Sequence, residues 1–232
     1  MNMKLLNALA IVIVAGNMFA QESPVLKTEQ DKVNYGLGVG VARNFKSQGL
    51  DVNLELELVF RGMRDTFTGA TLLMTEEDLA KTMYAFQQEM QQKLTQARKL
   101  AAENNKKEGE AFLAENAKKE GVKVLPSGLQ YKILKNGDGK LPTSADTVEC
   151  NYRGTFVDGK EFDNSYKMGK PVTFKVQGGV IAGWSEVLKL MPVGSKWQVF
   201  LPSQLAYGEN GAGSQIGPNV TLIFEIELLS IK

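Results

Sequence analysis

From Thr28 to Phe45 apolar residues recur every four positions, at Val33, Leu37, Val41 and Phe45, the spacing of one helix face. Gly36, Gly38 and Gly40 interrupt that face, and each costs about 1 kcal/mol of intrinsic helix stability. A packed neighbour is therefore expected, and Gly36 and Gly40, four apart, would admit one at close range. Ser47-Gln48-Gly49 ends the pattern. Asp51 or Asn53 can cap a second helix of about ten residues holding Leu54, Leu58 and Arg61-Gly62-Met63, and Thr66 to Leu73 reads as a connector of small residues. Thr75, followed by Glu76, Glu77 and Asp78, carries the signature of a new helix start, with acid at the positive end of the dipole. The helix it predicts runs to about Lys119, with Leu79, Met83, Phe86, Met90, Leu94, Ala97 and Ala101 stepping by four and three. Past Ala102 the stripe fades into Glu-Asn-Asn-Lys-Lys-Glu-Gly-Glu, which predicts a solvated stalk. Two short helices and half of a long one make a thin core, so pairing with a second copy is expected.

At Pro126-Ser127-Gly128 the period changes from four to two. Leu129, Tyr131 and Ile133 alternate, and Asn136-Gly137-Asp138-Gly139 is a turn. Further strands are predicted near 147–154, 160–164, 171–177, 195–201 and 220–230. Val148, Cys150 and Tyr152 share one strand face, with Glu149, Asn151 and Arg153 on the other. Asp158-Gly159 marks a tight turn, and Ile181, Trp184 and Leu188 suit one short helix with its apolar side on the sheet. The expected class is α+β, with an all-helical N-terminal region, a long connecting helix and an antiparallel sheet wrapped over one short helix.

Residues 1–20 change the picture of location. Lys4, an apolar run from Leu5 to Ala15 and a small residue at Ala20 predict a secretory leader cleaved before Gln21. Asn7 and Asn17 break the run, which argues against a permanent span. The expected divisions are thus a leader (1–20), a helical region (21–74), a linker helix (75–125) and a C-terminal domain (126–232).

Charge narrows the chemistry. The chain has 27 basic and 26 acidic residues, and Lys4 is the only charge in the leader, so the remainder is balanced. No field for nucleic acid or an anionic membrane is built. There is no histidine, which excludes Ser-His and Cys-His catalysis and His-ligated zinc. No metal and no cofactor is expected. The single cysteine, Cys150, allows no internal disulfide and faces inward by strand parity.

What remains is a series of aromatic and apolar residues at turns and strand edges. These are Tyr152-Arg153-Gly154, Phe162-Asp163-Asn164-Ser165, Val180-Ile181-Ala182-Gly183-Trp184, Leu205-Ala206-Tyr207-Gly208, Ile216-Gly217-Pro218 and Thr221-Leu222-Ile223-Phe224. Together, and in this order over about a hundred residues, they resemble the FKBP family of peptidyl-prolyl isomerases. The N-terminal third resembles the amino-terminal domain of the macrophage infectivity potentiator-type members at Asn44–Asn53, Gly109–Leu113 and Val124–Tyr131. That likeness implies a homodimer formed by the N-terminal helices.

The resemblance also implies roles. Trp184 would floor a pocket under a prolyl ring, and Tyr152, Phe162 and Phe224 would wall it with their ring edges, with Phe174 as a further lining residue. Val180 and Ile181 would form an apolar rim and bind the peptide. Tyr207 would donate to the substrate carbonyl, Asp163 would sit beside Tyr152 and polarise the site, and Ile216 would contribute from the loop above. Trp184, Phe174 and Phe224 would be core aromatics in any such fold, and Asp163 also suits a strand-end cap. Tyr207, between Ala206 and Gly208, is harder to account for by packing. Val172 stands where many members have an aromatic, implying a thinner wall. The loop Glu209–Gly217 lacks a bulky aromatic, which bears on the macrolide inhibitors the family binds.

The implied activity is rotation about X-Pro bonds in exported or envelope polypeptides. The implied location is the periplasm, with outer-membrane association or surface exposure as alternatives. A rival expectation is a holdase that cradles clients between dimer arms, with isomerisation secondary.

Overall fold

Helix α1 (Glu29–Ser47) starts where Thr28 and Asp31 cap each other: Thr28 Oγ1 accepts the Asp31 N–H at 3.1 Å, and Asp31 Oδ2 accepts the Thr28 N–H at 2.8 Å. The coordinates are a computed structural model describing residues 26–50 and 54–232; the expected leader and the expected caps Asp51 and Asn53 lie outside the described residues. Helix α2 (Leu56–Thr68) begins after Glu55, whose side chain makes no cap bond, and ends at Gly69, left-handed at φ 67°. It therefore starts beyond Leu54 and includes Thr66 and Thr68, which the sequence pattern places in the connector. Inside it Arg61 Nε reaches both carboxylate oxygens of Asp65, at 2.9 and 2.8 Å.

These two helices belong to a unit that ends at Thr75; a second unit runs from Glu76 to Lys232. Neither α1 nor α2 buries an apolar residue completely, and Val33, Leu37, Phe60 and Phe67 stay exposed. A methyl at Gly36, Gly38 or Gly40 would meet nothing within 4 Å, so among the described residues no element uses the close approach these glycines permit.

The second unit opens with α3 (Glu76–Asn116). Its first half keeps Met83, Tyr84, Phe86 and Leu94 exposed. Its second half corrects the reading of a solvated stalk. There Gly109 and Asn116 are buried, and the Phe112 ring lies 6.0 Å from that of Phe200. Asn116 Nδ2 donates to Gln130 Oε1 at 3.0 Å, and Gln130 Nε2 donates to the Leu113 carbonyl at 2.8 Å. The helix docks through a glycine and amides that a hydropathy pattern counts as solvent-facing. A methyl at Gly109 would overlap the Thr221 hydroxyl.

After α3 come β1 (Val122–Val124), which no alternation in the sequence suggested, and β2 (Gln130–Lys135), β3 (Thr147–Thr155), β4 (Glu161–Asn164), β5 (Val172–Lys175), α4 (Ala182–Leu188), β6 (Lys196–Leu201) and β7 (Leu222–Ile231). Every pairing is antiparallel, in the order β1-β2-β6-β7-β3-β4, with β5 also on β3. Val148, Cys150, Tyr152 and Gly154 point inward from β3 as parity demands, and Ile226 and Leu228 do so from β7. Val187 and Leu188 of α4, fully buried, complete the core against this face. The outcome is the α+β arrangement expected, with N-terminal helices, a long helix and an antiparallel sheet over one short helix.

Candidate active site

The site starts from β3. Its register sets Tyr152 opposite Ile226 and Gly154 opposite Phe224 on β7, and Gly154 opposite Asp163 on β4. The β3–β4 connection turns at Gly159, φ 85°, with the Lys160 N–H donating to Asp158 Oδ1 at 2.8 Å. This returns Phe162 and Asp163 alongside Tyr152. Gly154 has to lack a side chain: a Cβ there would lie 2.6 Å from Phe162 Cζ and 3.0 Å from Phe224 Cε1. The glycine is what lets two aromatic walls meet over the strand.

Trp184, 3% exposed, enters from the first turn of α4. Its ring stands edge-on to Tyr152 at 5.2 Å, to Phe174 at 5.2 Å and to Phe224 at 5.3 Å, and Phe162 meets Phe224 edge-on at 5.6 Å. Such T-shaped contacts put positive ring edges against negative faces and lock the rings. The start of α4 is tied down where Ser185 Oγ donates to the Val176 carbonyl at 2.6 Å.

These rings enclose a hollow of about 140 Å³. Tyr152, Phe162, Asp163, Phe174 and Trp184 line it, and Val180, Ile181, Tyr207 and Phe224 close the ring around it. Ile216 is buried and lines the adjoining groove of about 440 Å³, shared with Phe162, Asp163 and Tyr207. Val172 is not among the lining residues of either; it pairs with Cys150 of β3 and packs against the core. Two contributors escaped the sequence reading. Gly179 lines the hollow because a Cβ would strike the Lys175 backbone, 2.7 Å from its carbonyl oxygen. Ser165, fully buried, accepts the Tyr152 N–H at 2.8 Å and so fixes the backbone beneath that ring. Position in a motif hinted at Ser165; only the fold shows its bond.

The polar content is sparse and ordered. Tyr152 donates its hydroxyl to Asp163 Oδ2 at 2.6 Å, while Asp163 Oδ1 accepts the Asn164 N–H at 2.8 Å. Asp163 therefore caps the strand end and holds the phenol at once. Burial, then this hydrogen bond, the Asp163 charge and the neighbouring Tyr207 push the Tyr152 phenol well above its ordinary range. It stays protonated and is no nucleophile. Tyr207, 39% exposed, stands at the mouth. The arrangement can hold a compact apolar ring and surround a carbonyl with ring edges and one hydroxyl.

Two family models match the chain. Residues 30–133 match the model of the domain amino terminal to FKBP-type peptidyl-prolyl isomerase, and residues 139–229 match that of the FKBP-type peptidyl-prolyl cis-trans isomerase. The chain is 45% identical, over all of its length and 99% of the relative's, to the outer membrane protein MIP of Legionella longbeachae. It is 40% identical to the peptidyl-prolyl cis-trans isomerase Mip of Coxiella burnetii, over 97% of this chain and 96% of that one. The crystal structure of FkpA from Escherichia coli superposes with a TM-score of 0.69 at 35% identity, covering 90% of this chain and 99% of that one.

Proposed function

The chain belongs to the FKBP-type peptidyl-prolyl cis-trans isomerases, and from that premise we propose that it catalyses by fitting the twisted X-Pro amide in the hollow floored by Trp184. The uncatalysed rotation must cross about 18–20 kcal/mol because the amide loses its partial double bond. No covalent step is needed; selective binding of the twisted form lowers the barrier. The prolyl ring sits on Trp184 between Phe174, Val180 and Ile181. The carbonyl, which becomes less amide-like on twisting, faces the edges of Tyr152, Phe162 and Phe224 and takes the Tyr207 hydroxyl. Asp163 holds Tyr152 in place and adds a field without attacking.

The observation that carries this reading is the convergence of these aromatic rings, at 5.2–5.3 Å around Trp184, on one small apolar hollow with a phenol–carboxylate pair at its rim. A protease-coupled assay on a proline tetrapeptide tests it: Asp163→Ala and Tyr152→Phe lower kcat/KM, and unchanged turnover in both removes the site assignment.

The protein works on exported or envelope polypeptides as a homodimer. The leader-like residues 1–20 support export, as does a 45% identical relative described as an outer membrane protein. The exposed apolar residues of α1 and α2, and separately of the first half of α3, support a partner chain. Light scattering on the chain from Gln21 returns twice the protomer mass if this holds. The exposed Met83, Tyr84, Phe86 and Leu94 also favour a second reading, a holdase surface. A monomer that suppresses aggregation of a denatured client, and loses that ability when Met83 and Leu94 are made polar, would favour it.

A further inference from the structure

The loop that joins Tyr207 to β7 runs Gly208–Asn219. Its neck is closed by the Asn219 N–H donating to the Gly208 carbonyl at 2.8 Å, and inside it Ala212 and Ile216 bridge. Tyr207 precedes this neck and Ile216 lies within the loop, so wherever the loop sits, the groove beside the hollow follows. The loop does not stand alone. Asn105 Nδ2 of α3 donates to the Pro218 carbonyl at 2.8 Å in a half-buried contact, and Arg98, about two turns earlier on the same helix face, donates to the Asn210 carbonyl at 3.0 Å. Asn219 Nδ2 reaches back to the Ala102 carbonyl at 3.4 Å. Asn219 is also the described non-glycine residue with positive φ, 57°, a conformation that persists where surrounding bonds over-determine it. Beyond it Thr221 packs on Gly109.

We propose that the second half of α3 is a positioning element of the isomerase site: Asn105 and Arg98 grip the returning and outgoing legs of the 208–219 loop and so set Tyr207 and Ile216 over the substrate. This rests on the reading of the aromatic hollow as the site of isomerisation. Small misplacements of groups that meet the reacting atoms cost rate steeply, whereas the loop's own bonds are few. The helix is therefore more than a spacer; a helix bent or pulled away from the loop would lower turnover with every residue of the hollow intact.

The test uses the full chain. Asn105→Asp removes the donor with little change of shape, and Arg98→Ala removes the second grip. The expected result for the pair is a loss in kcat of roughly three- to tenfold with KM little changed, together with faster amide exchange in 208–219. Arg98→Lys, which keeps a donor, recovers part of the loss when it replaces Arg98→Ala in the Asn105→Asp protein. Asn116→Ala removes one docking bond about three turns beyond Asn105 and leaves both loop grips and the Gln130–Leu113 bond in place; it is expected to lower Tm while leaving kcat/KM unchanged. Unchanged kcat and loop exchange in the Asn105→Asp/Arg98→Ala protein overturn the proposal, as does an equal loss from Asn116→Ala. Asp163→Ala and Tyr152→Phe separate the two levels: unchanged turnover in both removes the site reading itself, while lost turnover in them with an intact Asn105→Asp/Arg98→Ala protein removes only the role of α3.

Discussion

The bond from Tyr152 to Asp163 can be measured directly, because both partners are small changes away from losing it. Tyr152 is 8% exposed and its hydroxyl lies 2.6 Å from Asp163 Oδ2. A hydrogen bond to a charged group contributes about 1.5–3 kcal/mol when shielded. Asp163 faces solvent, however, and screening reduces such an interaction to about 1 kcal/mol. The cycle is Tyr152→Phe, Asp163→Ala and the double variant, each unfolded in urea. Both tryptophans, Trp184 and Trp197, lie in the Glu76–Lys232 unit, so their fluorescence reports that unit alone. The expected coupling is about 1 kcal/mol. In the peptide assay the double variant should lose no more kcat/KM than the worse single variant, since the phenol and carboxylate act as one group. Unfolding free energies that add to within about 0.3 kcal/mol, with rate losses that multiply, would refute the reasoning.

Other outcomes follow from the same geometry. Gly154→Ala forces a methyl against Phe162 and Phe224; the expected cost is about 1–3 kcal/mol of stability and a lower kcat/KM, read by urea unfolding and the peptide assay. Gly109→Ala, although helix propensity favours alanine by about 1 kcal/mol, should still lower Tm because the methyl meets Thr221, and Thr221→Ala should recover part of it. At high pH, burial first and then the Glu149 charge push the Cys150 thiol from 9.0 up to about 12. The folded state holds that proton more tightly than the unfolded chain, so its contribution is complete below pH 9 and is lost as pH rises toward 12; Cys150→Ala should flatten that part of the Tm profile. At low pH, hydrogen bonds from Lys167, Arg153 and Asn164 hold Glu161 down from 4.5 to about 2. Its contribution is present above pH 4.5 and lost as pH falls toward 2, and Glu161→Gln should shorten the acid limb.

Local physics settled much of this protein before any coordinates. Strand parity alone placed Val148, Cys150 and Tyr152 inward, because side chains on a pleated strand alternate whatever lies around them. The Asp158-Gly159 turn is local in the same way, whereas the aromatic residues that line the hollow were implied by the family resemblance of their motifs. Those signals are short in range, a few residues each. The tertiary structure decided what depends on partners distant in the chain. Asn105, Gly109 and Asn116 carry no apolar period, so the half of α3 that binds the sheet reads as solvated; beside the Phe112–Phe200 contact its hold comes from amide hydrogen bonds and an absent side chain, neither of which hydropathy records. Gly179 and Ser165 serve the hollow for the same kind of reason: the Lys175 backbone leaves one no room for a Cβ, and the other meets a single N–H thirteen residues away.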